Sequence, residues 1–208
     1  MAEAGRVIAG SAKGLKLIAP GEGTRPLSDR VKETLFAILE PHLPGARVLD
    51  LFAGSGAGGI EALSRRAEHA DFVEKDSGAA RVIGQNLVRA HLDEKARIHQ
   101  RDVAAFLKDA VAAASQTPAP RPWDVVLIDP PYADTGAMDA ALTALSANAT
   151  TLLAPTCWVV AKHFWRTPPP QAIGLLASIR NRRFGETALT FYRLAAVGEA
   201  AGAQGEET

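Results

Sequence analysis

Between residues 47 and 163, apolar β-branched runs alternate with stretches of helical periodicity. That alternation restricts the fold more than any other feature of the chain. Arg47-Val48-Leu49-Asp50-Leu51-Phe52 reads as a strand and Ala70-Asp71-Phe72-Val73-Glu74 as a second. Ala96-Arg97-Ile98-His99-Gln100 is a weaker third, Trp123-Asp124-Val125-Val126-Leu127-Ile128 a fourth, and Thr156 to His163 a fifth. Helical stretches separate them. One opens at Ile60-Glu61-Ala62-Leu63; one spans 77–92 with Ala80, Ile83, Leu87 and Ala90 in register; one spans 103–114; an Ala- and Leu-rich one spans 137–153. Short apolar strands joined by helices are βαβ units, and these build a parallel sheet covered on both faces. The fold class is therefore α/β.

The flanks differ. Ser28 can cap a helix over 29–40, where Val31, Leu35, Ile38 and Leu39 share one face and Pro41 and Pro44 close it. Arg30, Lys32 and Glu33 fall off that face. In residues 1–27, Arg6 to Ala9 and Leu15 to Ile18 are joined by Gly10-Ser11-Ala12-Lys13-Gly14, a small β-hairpin, with Thr24-Arg25-Pro26 as an extended link. Composition leaves open whether this arm is merely solvated or a flexible basic arm. Leu176 to Phe184 and Ala188 to Ala195 flank Gly185-Glu186-Thr187 and suggest a closing antiparallel hairpin. Residues 116–122 form a proline-rich surface loop. Residues 196–208 have the composition of a disordered tail. The expected organisation is an arm over 1–27, one domain over 28–195 and the tail.

Composition excludes several classes. Apolar residues make up 47% and charged residues 22%, the balance of a soluble globular protein. The formal net charge of zero argues against polyanion binding by the whole surface, though not by one basic face. Cys157 is the single cysteine, so neither an internal disulfide nor a cysteine-based metal cluster is available, and no metal is expected. Its apolar surroundings suit a buried, inert thiol. No apolar run reaches the roughly 18 residues of a membrane span, and the N-terminus lacks the apolar core of a signal peptide. A cytoplasmic protein without membrane contact is expected.

Gly54, Gly56 and Gly59 match G-x-G-x-x-G between a strand and a helix, and Glu74 follows Gly54 by twenty residues. Such glycines let backbone approach a ligand closely, and an acid ending the second strand can grip ribose hydroxyls. That serves NAD and the adenosine half of S-adenosylmethionine equally. Asp50 leans towards the second. A carboxylate four residues before the glycines suits an ammonium or sulfonium and repels a pyrophosphate; its structural alternative is to hold loop N–H groups. Asp102, after the third strand, can accept from an adenine amine, cap the helix at 103–114, or do both.

Asp129-Pro130-Pro131-Tyr132 ends the fourth strand. Two prolines must stop a strand, because they have no N–H for the ladder. A carboxylate, unpaired carbonyls and an aromatic ring then gather at a strand's carboxyl end, where open α/β sheets bind ligands. An exocyclic ring amine is a poor nucleophile. Asp129 and the Pro130 carbonyl can bond its N–H groups and shift density onto nitrogen, while Tyr132 offers a stacking face.

Asp50-Leu51-Phe52-Ala53-Gly54-Ser55-Gly56 together with Asp129-Pro130-Pro131-Tyr132 resembles the amino-directed S-adenosylmethionine-dependent methyltransferases. Within that class the chain is similar to the RsmD-type enzymes, which methylate a guanine N2 amine in 16S ribosomal RNA. The narrower likeness rests on Arg6-Val7-Ile8-Ala9-Gly10, on Thr24-Arg25-Pro26 with Asp29-Arg30-Val31-Lys32-Glu33, on Gly59-Ile60-Glu61-Ala62-Leu63-Ser64-Arg65 and on Phe184-Gly185-Glu186-Thr187. The resemblance implies a Rossmann-like class I methyltransferase with a seven-stranded, mostly parallel sheet. It implies a cofactor site of Asp50, Phe52, Ala53, Gly54, Ser55, Gly56, Glu74, Lys75, Asp102 and Val103, and a catalytic group of Asp129, Pro130, Pro131 and Tyr132. Two departures stand out. Gly58 replaces a common Leu and should loosen helix packing; Lys162-His163 replaces an acidic pair, and no role is assigned to it.

Ribosomal RNA, met within an assembling small subunit, is the implied partner of a monomeric enzyme. Arg6, Lys13, Lys16, Arg25, Arg30 and Arg183 are the candidate RNA contacts, with Lys32, Arg180 and Arg182 beside them. The competing readings are an adenine-N6 methyltransferase, an NAD-dependent oxidoreductase, and an S-adenosylmethionine-binding RNA scaffold without activity.

Overall fold

A computed structural model describes residues 3–21, 27–131, 134 and 136–195. The link at 24–26 with Arg25, the ring of Tyr132, and the tail from 196 lie outside them.

Strands β1 (Glu3–Arg6) and β2 (Lys16–Ile18) pair antiparallel as the N-terminal hairpin. Then come α1 (Asp29–Leu39), β3 (Arg47–Leu51), α2 (Ala57–Ser64), β4 (His69–Glu74), α3 (Ser77–Ala90), β5 (Ala96–Gln100), α4 (Val103–Ala114) and β6 (Trp123–Ile128). The chain closes with α5 (Ala137–Ala147), α6 (Ala149–Leu152), β7 (Leu153–Phe164), β8 (Ala172–Ile173), β9 (Leu176–Phe184) and β10 (Thr187–Leu194). The main sheet runs β5-β4-β3-β6-β7-β10-β9-β8. Strands β3 to β7 are parallel, and the last three are joined by antiparallel pairings. The sheet has eight strands rather than seven, because Ala172–Ile173 adds a two-residue pairing to β9 that is too short to carry a sequence pattern.

Alternation along the strands divides the core. Val48, Val125, Leu127 and Val160 face α1, α2, α3 and the hairpin; Leu49, Leu51, Val126, Ile128 and Val159 face α4, α5 and α6. The helix expected over 137–153 breaks at Asn148, whose side-chain amide turns back to Ala144 O at 2.9 Å. Cys157 is buried, and burial raises its thiol pKa.

The N-terminal segment is not a free arm. Ala4, Val7 and Leu17 are buried in the same core as α1 and α2. The N–H groups of Ile8 and Ala9 donate to the buried Glu61 carboxylate at 2.7 and 3.0 Å. Ser64 Oγ donates to Ala9 O at 2.6 Å and accepts from Ala12 N at 3.0 Å. Gly10 has φ +84°, and a Cβ there would lie 1.8 Å from Ser64 O, so only glycine lets the turn sit against α2. Lys32 is wholly buried, with its ammonium on Arg6 O, and so cannot reach RNA. Its four-carbon stem lies among the core side chains beside the apolar stripe of α1.

Candidate active site

The sheet order reverses between β3 and β6. β4 and β5 extend to one side of β3, and the chain then returns to the other side with β6. Crevices at such switch points, beyond the carboxyl ends of the strands, bind ligands. A cavity of about 710 Å³ occupies this one.

The glycine-rich turn forms its floor. Phe52, Gly54 and Gly56 all have positive φ, at 60°, 56° and 78°. Phe52 is a bulky residue held in a conformation that costs of order 1–3 kcal/mol. The turn is fixed from three sides. Ala53 N donates to Val73 O at 3.0 Å, Gly54 N to Glu74 Oε2 at 2.9 Å, and the buried Asn86 of α3 donates to Ser55 O at 3.0 Å. Asn86 also bonds Ile18 N and O, so one amide ties the hairpin to the turn.

Asp50 is 4% exposed and accepts from Gly59 N in the first turn of α2 at 2.8 Å. Its structural alternative, holding a loop N–H, is therefore present. Burial pushes its carboxyl up to about 7; the Gly59 bond opposes this, and the Asp129 and Glu74 charges add to it. Glu74 accepts from Gly54 N and, through Oε1, from Asp76 N at 2.9 Å, which leaves each oxygen a second lone pair. Asp102 caps α4, with Oδ1 accepting from Ala104 N at 2.9 Å and Ala105 N at 3.4 Å.

Asp50, Phe52, Ala53, Gly54 and Ser55 line the cavity, as do Glu74, Lys75, Asp102 and Val103. Gly56 does not: the place of its missing Cβ faces Ile60 and Ile83 at 3.2 Å, so its work is to turn the chain into α2. Asp129, Pro130 and Pro131 complete the wall. The position of the Tyr132 ring lies outside the described residues.

Two contributions escaped the sequence. Ala4, Pro20, Gly21, Leu27 and Leu35 wall the cavity, so the N-terminal segment is part of the site. Lys162 also lines it, with Nζ 2.6 and 2.9 Å from the two oxygens of Asp129. Parallel pairing of Ile128 with Ala161 brings these residues together; the missing acidic pair was the one sequence sign of it. Gly58 does not loosen the helix. A Cβ there would lie 2.8 Å from Leu127 Cδ1 and 3.1 Å from Asp50 Oδ2.

The RNA candidates do not gather in one place. Arg6 and Lys16 are exposed but ion-paired to Asp29 and Glu3 on the hairpin side. Lys13 and Arg30 are exposed nearby. Arg183 is exposed on β9, with its guanidinium 3.5 Å from the Trp165 ring centre; Arg166 lies 5.0 Å from the same ring. Thr187 pairs with Phe164, which puts this aromatic-basic group at the same end of the sheet as the cavity.

The family described as conserved hypothetical protein 95 matches residues 5–193. The chain belongs to this family. It is 37% identical over 190 residues to the Bacillus subtilis (strain 168) protein YlbH, provisionally named an rRNA methyltransferase, spanning 90% of this chain and 98% of that one. It is 42% identical over 130 residues to ribosomal RNA small subunit methyltransferase D of Haemophilus influenzae, spanning 61% of this chain and 63% of that one. Among solved structures, a provisionally named methyltransferase of Escherichia coli, yhhF, superposes with a TM-score of 0.78 at 30% identity, covering 93% and 98% of the two chains. Among the described residues no helix is long and apolar enough to cross a membrane, and no cluster of His, Cys, Asp and Glu could hold a metal ion.

Proposed function

We propose that this chain is a methyltransferase that uses S-adenosylmethionine to methylate the exocyclic N2 amine of a guanine in the ribosomal RNA of an assembling small subunit. The observation that carries the reading is the convergence of Asp50, Glu74 and Asp129 on one cavity at the switch point. Asp50, once ionised, and Glu74 suit a ligand that bears a sulfonium and an ammonium better than a pyrophosphate, while Asp129, paired to Lys162, stands on the acceptor side. The cavity volume falls in the range of small-molecule sites. The relatives named as ribosomal RNA methyltransferases support the acceptor class.

In this reading Asp50 would hold the amino acid end of the cofactor, Glu74 the ribose and Asp102 the adenine amine. The guanine enters unstacked against the Asp129-to-Tyr132 turn. Asp129 and the Pro130 carbonyl accept from its amine and aim the nitrogen at the methyl. Bound S-adenosylmethionine would supply the methyl: the amine nitrogen would take it as the C–S pair returned to sulfur, and one N–H proton would pass to water. Most of the acceleration comes from alignment and from carboxylate stabilisation of charge developing on nitrogen. Arg183, Arg166 and Trp165 would meet RNA at one edge of the cavity mouth; Arg6, Lys13, Lys16 and Arg30 would meet it on the hairpin side, and Arg25 is a further candidate contact.

The test uses small-subunit particles from a strain lacking its guanine-N2 methyltransferase, labelled cofactor, and mapping of the modified base. The unaltered chain should label one guanine. Asp129→Ala should bind cofactor with near-normal affinity and transfer nothing. Full transfer by that variant, or label on adenine, sinks the assignment.

A further inference from the structure

Asp50 and Asp129 stand at the carboxyl ends of neighbouring strands, in one cavity, with different partners: Asp50 accepts from the Gly59 N–H, while Asp129 has a cation. Lys162, 11% exposed near the end of β7, donates to both of its oxygens at 2.6 and 2.9 Å. We infer that Lys162 is a positioning residue of the methyl transfer, whose ammonium keeps Asp129 an oriented carboxylate, the form that accepts from the target amine. The inference rests on the reading of the site as an amine methyltransferase.

The chemistry requires that form. A protonated Asp129 keeps only part of its acceptor capacity and carries no charge, so it would hold the amine more weakly and could not stabilise charge growing on its nitrogen. The surroundings favour the proton. Asp129 is faced by Asp50 from β3, which in turn feels Glu74 from β4, and by Lys162 from β7; Asp134 comes next on its own loop, and Lys75, Asp76, Arg101 and Asp102 stand further along the wall. Burial raises the Asp129 carboxyl above its ordinary value, and Lys162, by its charge and its hydrogen bonds, offsets that rise in part. Asp50, also buried and with carboxylates for neighbours, is held at about 7, chiefly by burial. The bidentate geometry adds orientation, because a carboxylate gripped at both oxygens cannot swing about its Cβ–Cγ bond. A purely structural role, neutralising a buried charge so that the chain folds, predicts a loss of stability and no change in how the rate depends on pH.

The experiment is single-turnover methyl transfer to the same particles across pH, with the full chain, Lys162→Met, Lys162→Gln and Lys162→Arg. Thermal unfolding establishes which variants fold, and Lys162→Gln serves where Lys162→Met does not. In Met or Gln variants the acidic limb of the rate profile should move upward by about 1–3 pH units, the shift that an opposite charge at this range exerts on a carboxyl. Much of the rate should return on the alkaline side. Lys162→Arg, which keeps the charge, should leave the limb in place, and calorimetric affinity for S-adenosylmethionine should be retained throughout. A limb that stays put in Lys162→Met or Lys162→Gln, with transfer slowed equally at every pH, overturns the inference and leaves the methyltransferase reading standing. Absence of transfer to a guanine amine by the unaltered chain overturns both.

Discussion

Glu61→Ala is the sharpest test of how the N-terminal hairpin belongs to the molecule. Glu61 is fully buried on α2 and accepts from three donors: Ile8 N at 2.7 Å, Ala9 N at 3.0 Å and Arg65 Nε at 2.8 Å. Truncation leaves all three without that acceptor. The two amides are half-buried, so water recovers part of the loss, and about 1 kcal/mol each applies, the low end for an unmet donor. Breaking a buried ion pair costs about 3–5 kcal/mol, but Arg65 keeps Glu40, so this term falls below that range. The total should be roughly 3–5 kcal/mol, a large part of the 5–15 kcal/mol that holds a typical domain. Urea denaturation followed by tryptophan fluorescence reads the total. Amide hydrogen exchange at Ile8 and Ala9, against Leu49 in β3 as a reference, shows whether the hairpin loosens first. Glu61→Gln keeps one acceptor oxygen and should recover about one amide's share, about 1 kcal/mol. A loss within the roughly 0.5 kcal/mol of an ordinary surface substitution, with both amides exchanging as before, would refute the clasp and restore the picture of a free arm.

Asp50 gives a pH prediction with a definite sign. Its carboxyl is raised from 3.8 to about 7, so its contribution to stability is fully present below 3.8 and is lost as pH rises through about 7. Thermal unfolding of the ligand-free protein should reveal that decline, while calorimetric affinity for the cationic cofactor should rise over the same interval as Asp50 ionises. A flat affinity from pH 6 to 8 would separate Asp50 from the cofactor. Gly58→Ala gains about 1 kcal/mol of helix propensity and loses about 1–3 kcal/mol to overpacking against Leu127 and Asp50. Stability should therefore fall by no more than about 2 kcal/mol, read by thermal unfolding, while cofactor affinity falls, read by calorimetric titration.

The sheet was legible because buried parallel strands are short continuous apolar runs. β6 at Trp123–Ile128 and α4 at Val103–Ala114 lie where the residues placed them. Helix α2 begins three residues before Ile60 because it starts directly from left-handed Gly56, and with all eight residues buried it has no polar face to give a period. Lys32 fell off the apolar stripe of α1 and still lies in the core, since polarity does not report where a long aliphatic stem goes. Lys162-His163 in place of an acidic pair marks the position as unusual, but not that Lys162 meets Asp129, because their contact depends on strand register, a property of the sheet. The same is true of the hairpin: it is visible in the sequence over residues 6–18, but its first strand is Glu3–Arg6 rather than Arg6 to Ala9, because Ile8 and Ala9 turn their N–H groups to Glu61, 53 residues away from Ile8.

Helix α2 also bears on where the chain can tolerate a change of length. One added residue turns everything beyond it by about 100°. Inserted after Gly59, it would swing Glu61 from under Ile8 and Ala9 and carry Ser64 off the Gly10 turn, while Gly59 stayed on Asp50. With neighbours on every side, the helix has no face through which to absorb the rotation. Insertions and deletions are therefore admitted at the exposed proline-rich loop of residues 116–122 and refused across Ala57–Ser64, whatever residue types they introduce.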